Sequence, residues 1–215
     1  MWETLSPSWQ ACLEEAWAAY CAGSVPIGAV VTDGNGQILA RGRNHSGDSG
    51  PAPVHSHPLA HAEVNALLAL NSDHADPHTC ILYTSCEPCP LCFGAFYMSG
   101  LRELRYASRD PFAGSINLLG TTPYLSRKPI CVFGPERADL ETILGALHTE
   151  FVLRDSGERY RHVVEAWAAV VPERVRLGEQ LFQDGRLRRM REAGARAAEV
   201  MRELRDGLKP QPYSS

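Results

Sequence analysis

Apolar positions near the start of the chain recur at helical spacing: Trp9, Cys12, Leu13, Ala16, Trp17 and Tyr20 fall on one face. Ser6-Pro7 ahead of them supplies a capping hydroxyl and a proline at the first helical position, so a helix is predicted to begin there. The pattern then changes. Val25 to Thr32 is rich in β-branched residues, Asp33-Gly34-Asn35-Gly36 is turn chemistry, and Gln37 to Arg41 resumes as a strand, which together read as a hairpin. Residues 42–58, rich in Gly, Ser, Pro and His, read as a loop. His61 to Leu70 reads as a helix, Thr79 to Thr84 as a short strand, and Cys89 to Met98 as a second helix. Glu103 to Tyr106 and Pro129 to Phe133 read as two more strands, separated by enough chain for a crossover helix and therefore expected to be parallel. Helical patterns return at 138–149 and 158–170. This order predicts an α/β fold, a sheet with helices on both faces.

The end of the chain has a different texture. Leu187, Met190, Gly194, Ala197, Met201, Leu204 and Leu208 alternate by three and four, a heptad-like seam on an Arg-rich helix. Such a helix either docks on its own domain or forms a subunit contact. A basic nucleic-acid arm fits least, because Glu192, Glu199, Glu203 and Asp206 interleave with the arginines. The expected organisation is a domain over 1–153 and a C-terminal helical extension over 154–215.

Charge sharpens this division. Residues 1–153 carry 8 Lys/Arg against 15 Asp/Glu, whereas 154–215 carry 13 against 10, for a net charge of −4 overall. An acidic first part speaks against a large polyanionic partner, since phosphate-gripping proteins present a basic surface. No apolar run approaches the ~20 residues that span a bilayer, and the amino terminus lacks a secretory pattern. A cytoplasmic location without membrane attachment is therefore expected. Seven cysteines, an odd number without signs of secretion, argue against a disulfide framework. Cys12, Cys21, Cys80 and Cys131 lie among apolar residues and read as small hydrophobes. Cys86, Cys89 and Cys92 crowd together, which points to metal.

Two stretches carry the chemistry: His61-Ala62-Glu63 and Pro88-Cys89-Pro90-Leu91-Cys92. They form the H-x-E…P-C-x-x-C pattern associated with zinc deaminases. One imidazole and two thiolates supply three zinc ligands, His61, Cys89 and Cys92, and leave a position for water; a purely structural site would close with a fourth side chain. Zinc lowers the pKa of such a water towards neutrality. Glu63, two residues from His61, is placed to take a proton from that water and deliver it to the ring nitrogen, and then to help ammonia leave. Both ligand groups open predicted helices, whose free N–H groups favour thiolates. Cys86 is assigned to the strand end, outside the ligand set.

These motifs resemble the cytidine deaminase superfamily, in particular its guanine deaminase and tRNA adenosine deaminase branch. Pro26-Ile27-Gly28-Ala29-Val30-Val31 and Gly42-Arg43-Asn44 resemble that branch's first two strands, and Pro58-Leu59-Ala60-His61-Ala62-Glu63 its first zinc motif. Ile81 to Cys92 is similar to the guanine deaminase form of the second motif, while Arg109-Asp110-Pro111 with Gly114-Ser115 resembles the tRNA-type enzymes. The similarity covers roughly residues 6–135. It implies a three-layer α/β/α sandwich with a five-stranded mixed sheet, one Zn2+ per subunit and a homodimer. It also implies that Asn44 hydrogen-bonds the substrate ring and that the backbone at Ala62 and Cys89 orients it. The sequence departs from the pattern at His57, where Asp is common, and at Phe112-Ala113, where tRNA-type enzymes tend to carry a basic residue. Asp110 is the nearest candidate for the acidic recognition residue of guanine deaminases, and Phe112 could stack on a flat ring or serve as a core aromatic. His45, His55 and His57 precede the zinc motif and either line the entrance or face solvent.

Three functions follow from these residues. The favoured one is hydrolytic deamination of a small nucleobase or nucleoside, a guanine-type purine above all. The alternatives are a tRNA-specific adenosine deaminase, supported by Arg109-Asp110-Pro111 and the Arg-rich tail, and a non-catalytic zinc-binding interaction module.

Overall fold

A computed structural model describes residues 1–71 and 75–208. The chain opens with a short 3-10 turn at 2–4 and then α1 (Pro7–Cys21), which Ser6 caps by accepting from the Trp9 amide. The strands are β1 (Gly28–Thr32), β2 (Ile38–Arg43), β3 (Ile81–Thr84), β4 (Glu103–Tyr106) and β5 (Cys131–Phe133). Between them lie α2 (Ala62–Ala69) and α3 (Pro90–Ser99), and after them α4 (Ala138–Ser156), α5 (Arg161–Val170), α6 (Pro172–Asp184), α7 (Arg186–Glu192) and α8 (Ala197–Gly207).

The five strands form one mixed sheet in the order β2-β1-β3-β4-β5. β1 runs antiparallel to β2 and β3, and β3, β4 and β5 run parallel. Alternate residues feed opposite faces, as the period-2 geometry of a strand requires. Val30 and Tyr83 pack with α1, α4 and α8, whereas Ala29, Val31, Leu82 and Leu104 pack with α2 and α3. This is the expected three-layer α/β/α arrangement. Among the described residues no helix is long and apolar enough to cross a membrane.

The structure differs from the sequence expectations in three places. Residues 107–130 contain a 3-10 turn at Ile116–Leu118 but no crossover α-helix, in a segment interrupted by Pro111, Gly114, Gly120, Pro123 and Pro129. β4 and β5 are parallel all the same. The boundary expected at 153/154 falls inside α4, and the extension shares the main core: Leu181, Leu187, Val200, Met201 and Leu204 cluster with Trp9, Leu13 and Leu147. The heptad-like seam is not one helix. Gly194 adopts a left-handed φ of 69°, a conformation glycine takes without steric cost, and the chain turns between α7 and α8. Leu187, Ala197, Met201 and Leu204 face their own domain, and Trp17 Nε1 donates to the Ala195 carbonyl. Residues 209–215 of the expected extension lie outside the described residues.

Candidate active site

Helix starts deliver the ligating side chains. His61 is the N-cap of α2 and Cys89 the N-cap of α3, neither using its side chain as a cap, so both are free to point into the site. Cys92 sits one turn into α3 and is buried. His61 Nδ1 lies 3.5 Å from Cys89 Sγ and 3.3 Å from Cys92 Sγ, and the two sulfurs are 3.6 Å apart. A tetrahedral zinc ion with Zn–S of about 2.3 Å and Zn–N of about 2.0–2.1 Å separates its donors by about 3.5–3.8 Å, so the three atoms fit that ion. Cys86, although buried nearby, stands outside this group.

The electrostatics of the trio also suit a cation. Hydrogen bonding with Cys92, followed by that with His61, brings Cys89 down to about 4, against the opposing effect of burial. The same sulfur–sulfur bond, reinforced by burial, pushes Cys92 up. A cation attracted to both sulfurs favours their ionised forms. The hydrogen bond to Cys89 raises His61, against burial.

Glu63, on the first turn of α2, is 3% exposed. Its Oε2 accepts from Cys92 Sγ at 3.2 Å, and its Oε1 lies 3.0 Å from Thr84 Oγ1. Burial raises its carboxyl above the usual range. Thr84 Oγ1 also lies 3.1 Å from the Cys86 carbonyl oxygen. The hydroxyl can therefore donate to an ionised Glu63, or accept from a protonated one while donating to Cys86.

These groups line a cavity of about 190 Å³ together with Val25, Ile27, Asn44, Glu87, Asp110, Ala113 and His148. Asn44 follows β2; its Oδ1 accepts from the Ser46 amide and hydroxyl, which leaves the amide NH2 as the group on offer. Asp110 Oδ1 accepts from the amides of Phe112 and Ala113 and from Trp167 Nε1 at 2.9 Å. Ala62 is placed differently: its side chain joins the core cluster beneath the sheet and does not line the cavity. Phe112 also stays out. It is 52% exposed and meets His162 edge-on, while its neighbour Ala113 takes the place at the cavity. Of the loop histidines, His45 is buried and bonded to Asp48, whereas His55 and His57 are peripheral to the cavity.

Helices beyond β5 hold the segment carrying Asp110, which the sequence did not foreshadow. Glu141 on α4 pairs with Arg109 through Nε at 2.6 Å and Nη2 at 3.1 Å. Arg174 on α6 donates to the Arg109 carbonyl at 2.7 Å and to Ser108 Oγ at 3.3 Å. Trp167 on α5 reaches Asp110, and His148 on α4 lines the cavity. A buried arginine and an indole beside the site are visible only once the chain is folded; no local spacing marks them.

Comparison with known proteins agrees with this geometry. Residues 3–108 match the family model of the cytidine and deoxycytidylate deaminase zinc-binding region. Guanine deaminase of Bacillus subtilis is 41% identical over 87 residues, covering 39% of this chain and 50% of the relative. The tRNA-specific adenosine deaminase of Haemophilus influenzae is 36% identical over 106 residues, covering 48% of this chain and 58% of the relative. This chain therefore spans less than two thirds of either relative. A solved structure of guanine deaminase from Nitrosomonas europaea has a TM-score of 0.51 at 28% identity, covering 68% of this chain and 84% of the other. With the ligand trio built from helix starts on the matching sheet, residues 3–108 of this chain belong to the cytidine and deoxycytidylate deaminase zinc-binding family.

Proposed function

We propose that this protein is a zinc-dependent hydrolytic deaminase of a small nucleobase or nucleoside, with a guanine-type purine as its preferred substrate. The observation that carries this reading is the Glu63 carboxylate beside the His61, Cys89 and Cys92 trio in one small cavity. His61, Cys89 and Cys92 would hold a zinc ion, which would supply Lewis acidity and an activated water at neutral pH. Glu63 would move one proton of the attacking water to the ring nitrogen and the second to the departing amine, so that ammonia leaves and the carbonyl forms. Thr84 supports both protonation states of Glu63, as its two contacts allow. The Asn44 NH2 donates to the ring, Asp110 accepts from ring N–H groups, and the helix-start backbone at Ala62 and Cys89 orients the base. Phe112 is left out of the substrate contacts.

The cavity's size supports a small substrate. At about 190 Å³ it lies below the about 300–1,000 Å³ common for drug-sized ligands, so it accommodates a base and leaves a sugar at the mouth. A tRNA adenosine deaminase remains the second reading, favoured by the Haemophilus influenzae relative. A non-catalytic zinc module fits less well, because it gives a buried glutamate beside the ligands no task. A cytoplasmic setting agrees with seven unpaired cysteines, and a homodimer would cover Leu68, Leu91 and Met98, which α2 and α3 leave exposed.

Replacing Glu63 with Gln tests the assignment. The variant is expected to keep one zinc per chain by metal analysis while ammonia release from guanine falls below detection. Ammonia release at the parent rate would overturn the role given to Glu63.

A further inference from the structure

Helices α4, α5 and α6 lie outside residues 3–108, yet α4 contributes His148 to the cavity wall, and Trp167 on α5 and Arg174 on α6 bond the segment that carries Asp110. Within that wall His148 is half-buried, its ring set 4.7 Å from the Trp167 ring at 55°. No hydrogen bond to another described residue engages either ring nitrogen. Its charged neighbours are Asp110 on the loop after β4 and Arg174 on α6. Asp110 commits Oδ1 to three N–H donors and keeps Oδ2 uncommitted. A carboxylate and an imidazole thus line one cavity, both with hydrogen-bonding capacity to spare.

That pair has a definite complement. A carboxylate only accepts, whereas a neutral imidazole donates from one nitrogen. An N–H next to a C=O, the lactam edge of an oxopurine, presents the opposite pattern. We propose that His148 is a specificity-determining residue that donates to the carbonyl of an oxopurine's lactam edge while Asp110 accepts from the adjacent N–H. Burial keeps His148 neutral by lowering its pKa to about 4. It therefore brings a directed donor without a positive charge. The inference rests on the reading of this cavity as a base site and deepens it, assigning substrate choice to a residue beyond the family region.

The test compares guanine with 2-aminopurine, which share the amine but differ at that edge. Binding to the zinc-loaded full chain is measured by calorimetry in the Glu63→Gln background, where turnover does not interfere. Guanine is expected to bind at least about tenfold more tightly than 2-aminopurine, the worth of one good hydrogen bond. His148→Ala is expected to reduce that preference to less than about threefold at unchanged zinc content, and His148→Gln, which retains a donor, to restore part of it. His148→Gln also decides the matter if the alanine variant fails to fold, because His148→Phe, which keeps a ring without a donor, must then lose the preference that Gln retains. A preference that survives both donor-free variants, or equal or absent binding of the two bases by the parent, overturns the proposal. Ammonia release is read separately with Glu63 intact. His148-dependent binding without ammonia would leave this inference standing and defeat the deaminase reading.

Discussion

Replacing Arg174 with Met separates what a buried cation does for the site from what it does for stability. Arg174 is 3% exposed and crosses α4 at Gly145, where a Cβ would lie 2.2 Å from its Cδ. Its two hydrogen bonds, to the Arg109 carbonyl and Ser108 Oγ, are worth about 1.5–3 kcal/mol each as bonds from a charged donor. Against them stands several kcal/mol of desolvation for a guanidinium without a directly paired carboxylate. Its Nε has no partner, a further cost of about 1–3 kcal/mol. The neighbouring carboxylates do not depend on it, since Glu141 is paired with Arg109 and Asp110 holds three N–H donors. Methionine retains the stem that crosses Gly145, so the net change in unfolding free energy is expected within about 2 kcal/mol of zero. The loop carrying Asp110 nevertheless loses an anchor, and a displacement near 1 Å costs about a hundredfold in rate at its worst. Chemical denaturation of the zinc-loaded protein and steady-state ammonia release from guanine measure the two quantities. A kcat/KM unchanged within about twofold, or a destabilisation above about 4 kcal/mol, would refute the balance drawn here.

Two further perturbations probe the fold around the site. Leu204→Ala on α8, a fully buried side chain in the main core, is expected to cost about 2–5 kcal/mol by urea denaturation with KM unchanged; a loss under about 1 kcal/mol would contradict docking of α8 on its own domain. His148, with a folded pKa of about 4 below the ordinary histidine value, contributes stability that is full above about pH 6.5 and lost as pH falls towards 4. Asp110 and Arg174 face it in both states, so His148→Gln is expected to flatten the melting temperature between pH 6.5 and about 4; an unchanged slope would contradict a buried neutral imidazole.

The parts of the site legible in the sequence are those whose geometry is local. His61-Ala62-Glu63 and Cys89 to Cys92 each sit at a helix start, so spacing alone brings the ligand atoms near one another once β3 is placed between the two helices. The sheet was legible for the same reason, through alternation and turn chemistry. The hold of Glu141, Trp167 and Arg174 on the segment carrying Asp110 was not, because it depends on contacts between residues 32 to 66 positions apart. Phe112 and Asp110 show the limit at close range: two residues apart, one lies open to solvent and the other is turned inward by three N–H donors. In the tail, three-and-four spacing continued past Gly194 because α7 and α8 bury separate faces, so periodicity ran through a turn that only the backbone reveals.

The central claim, a zinc deaminase acting on a small purine-type base, is tested most directly by ammonia release. Zinc-loaded protein and its Glu63→Gln variant are offered guanine, guanosine, adenine, cytosine and an anticodon stem-loop. The account predicts turnover of guanine by the parent alone; release only from the RNA, or from no substrate in the panel, would contradict it.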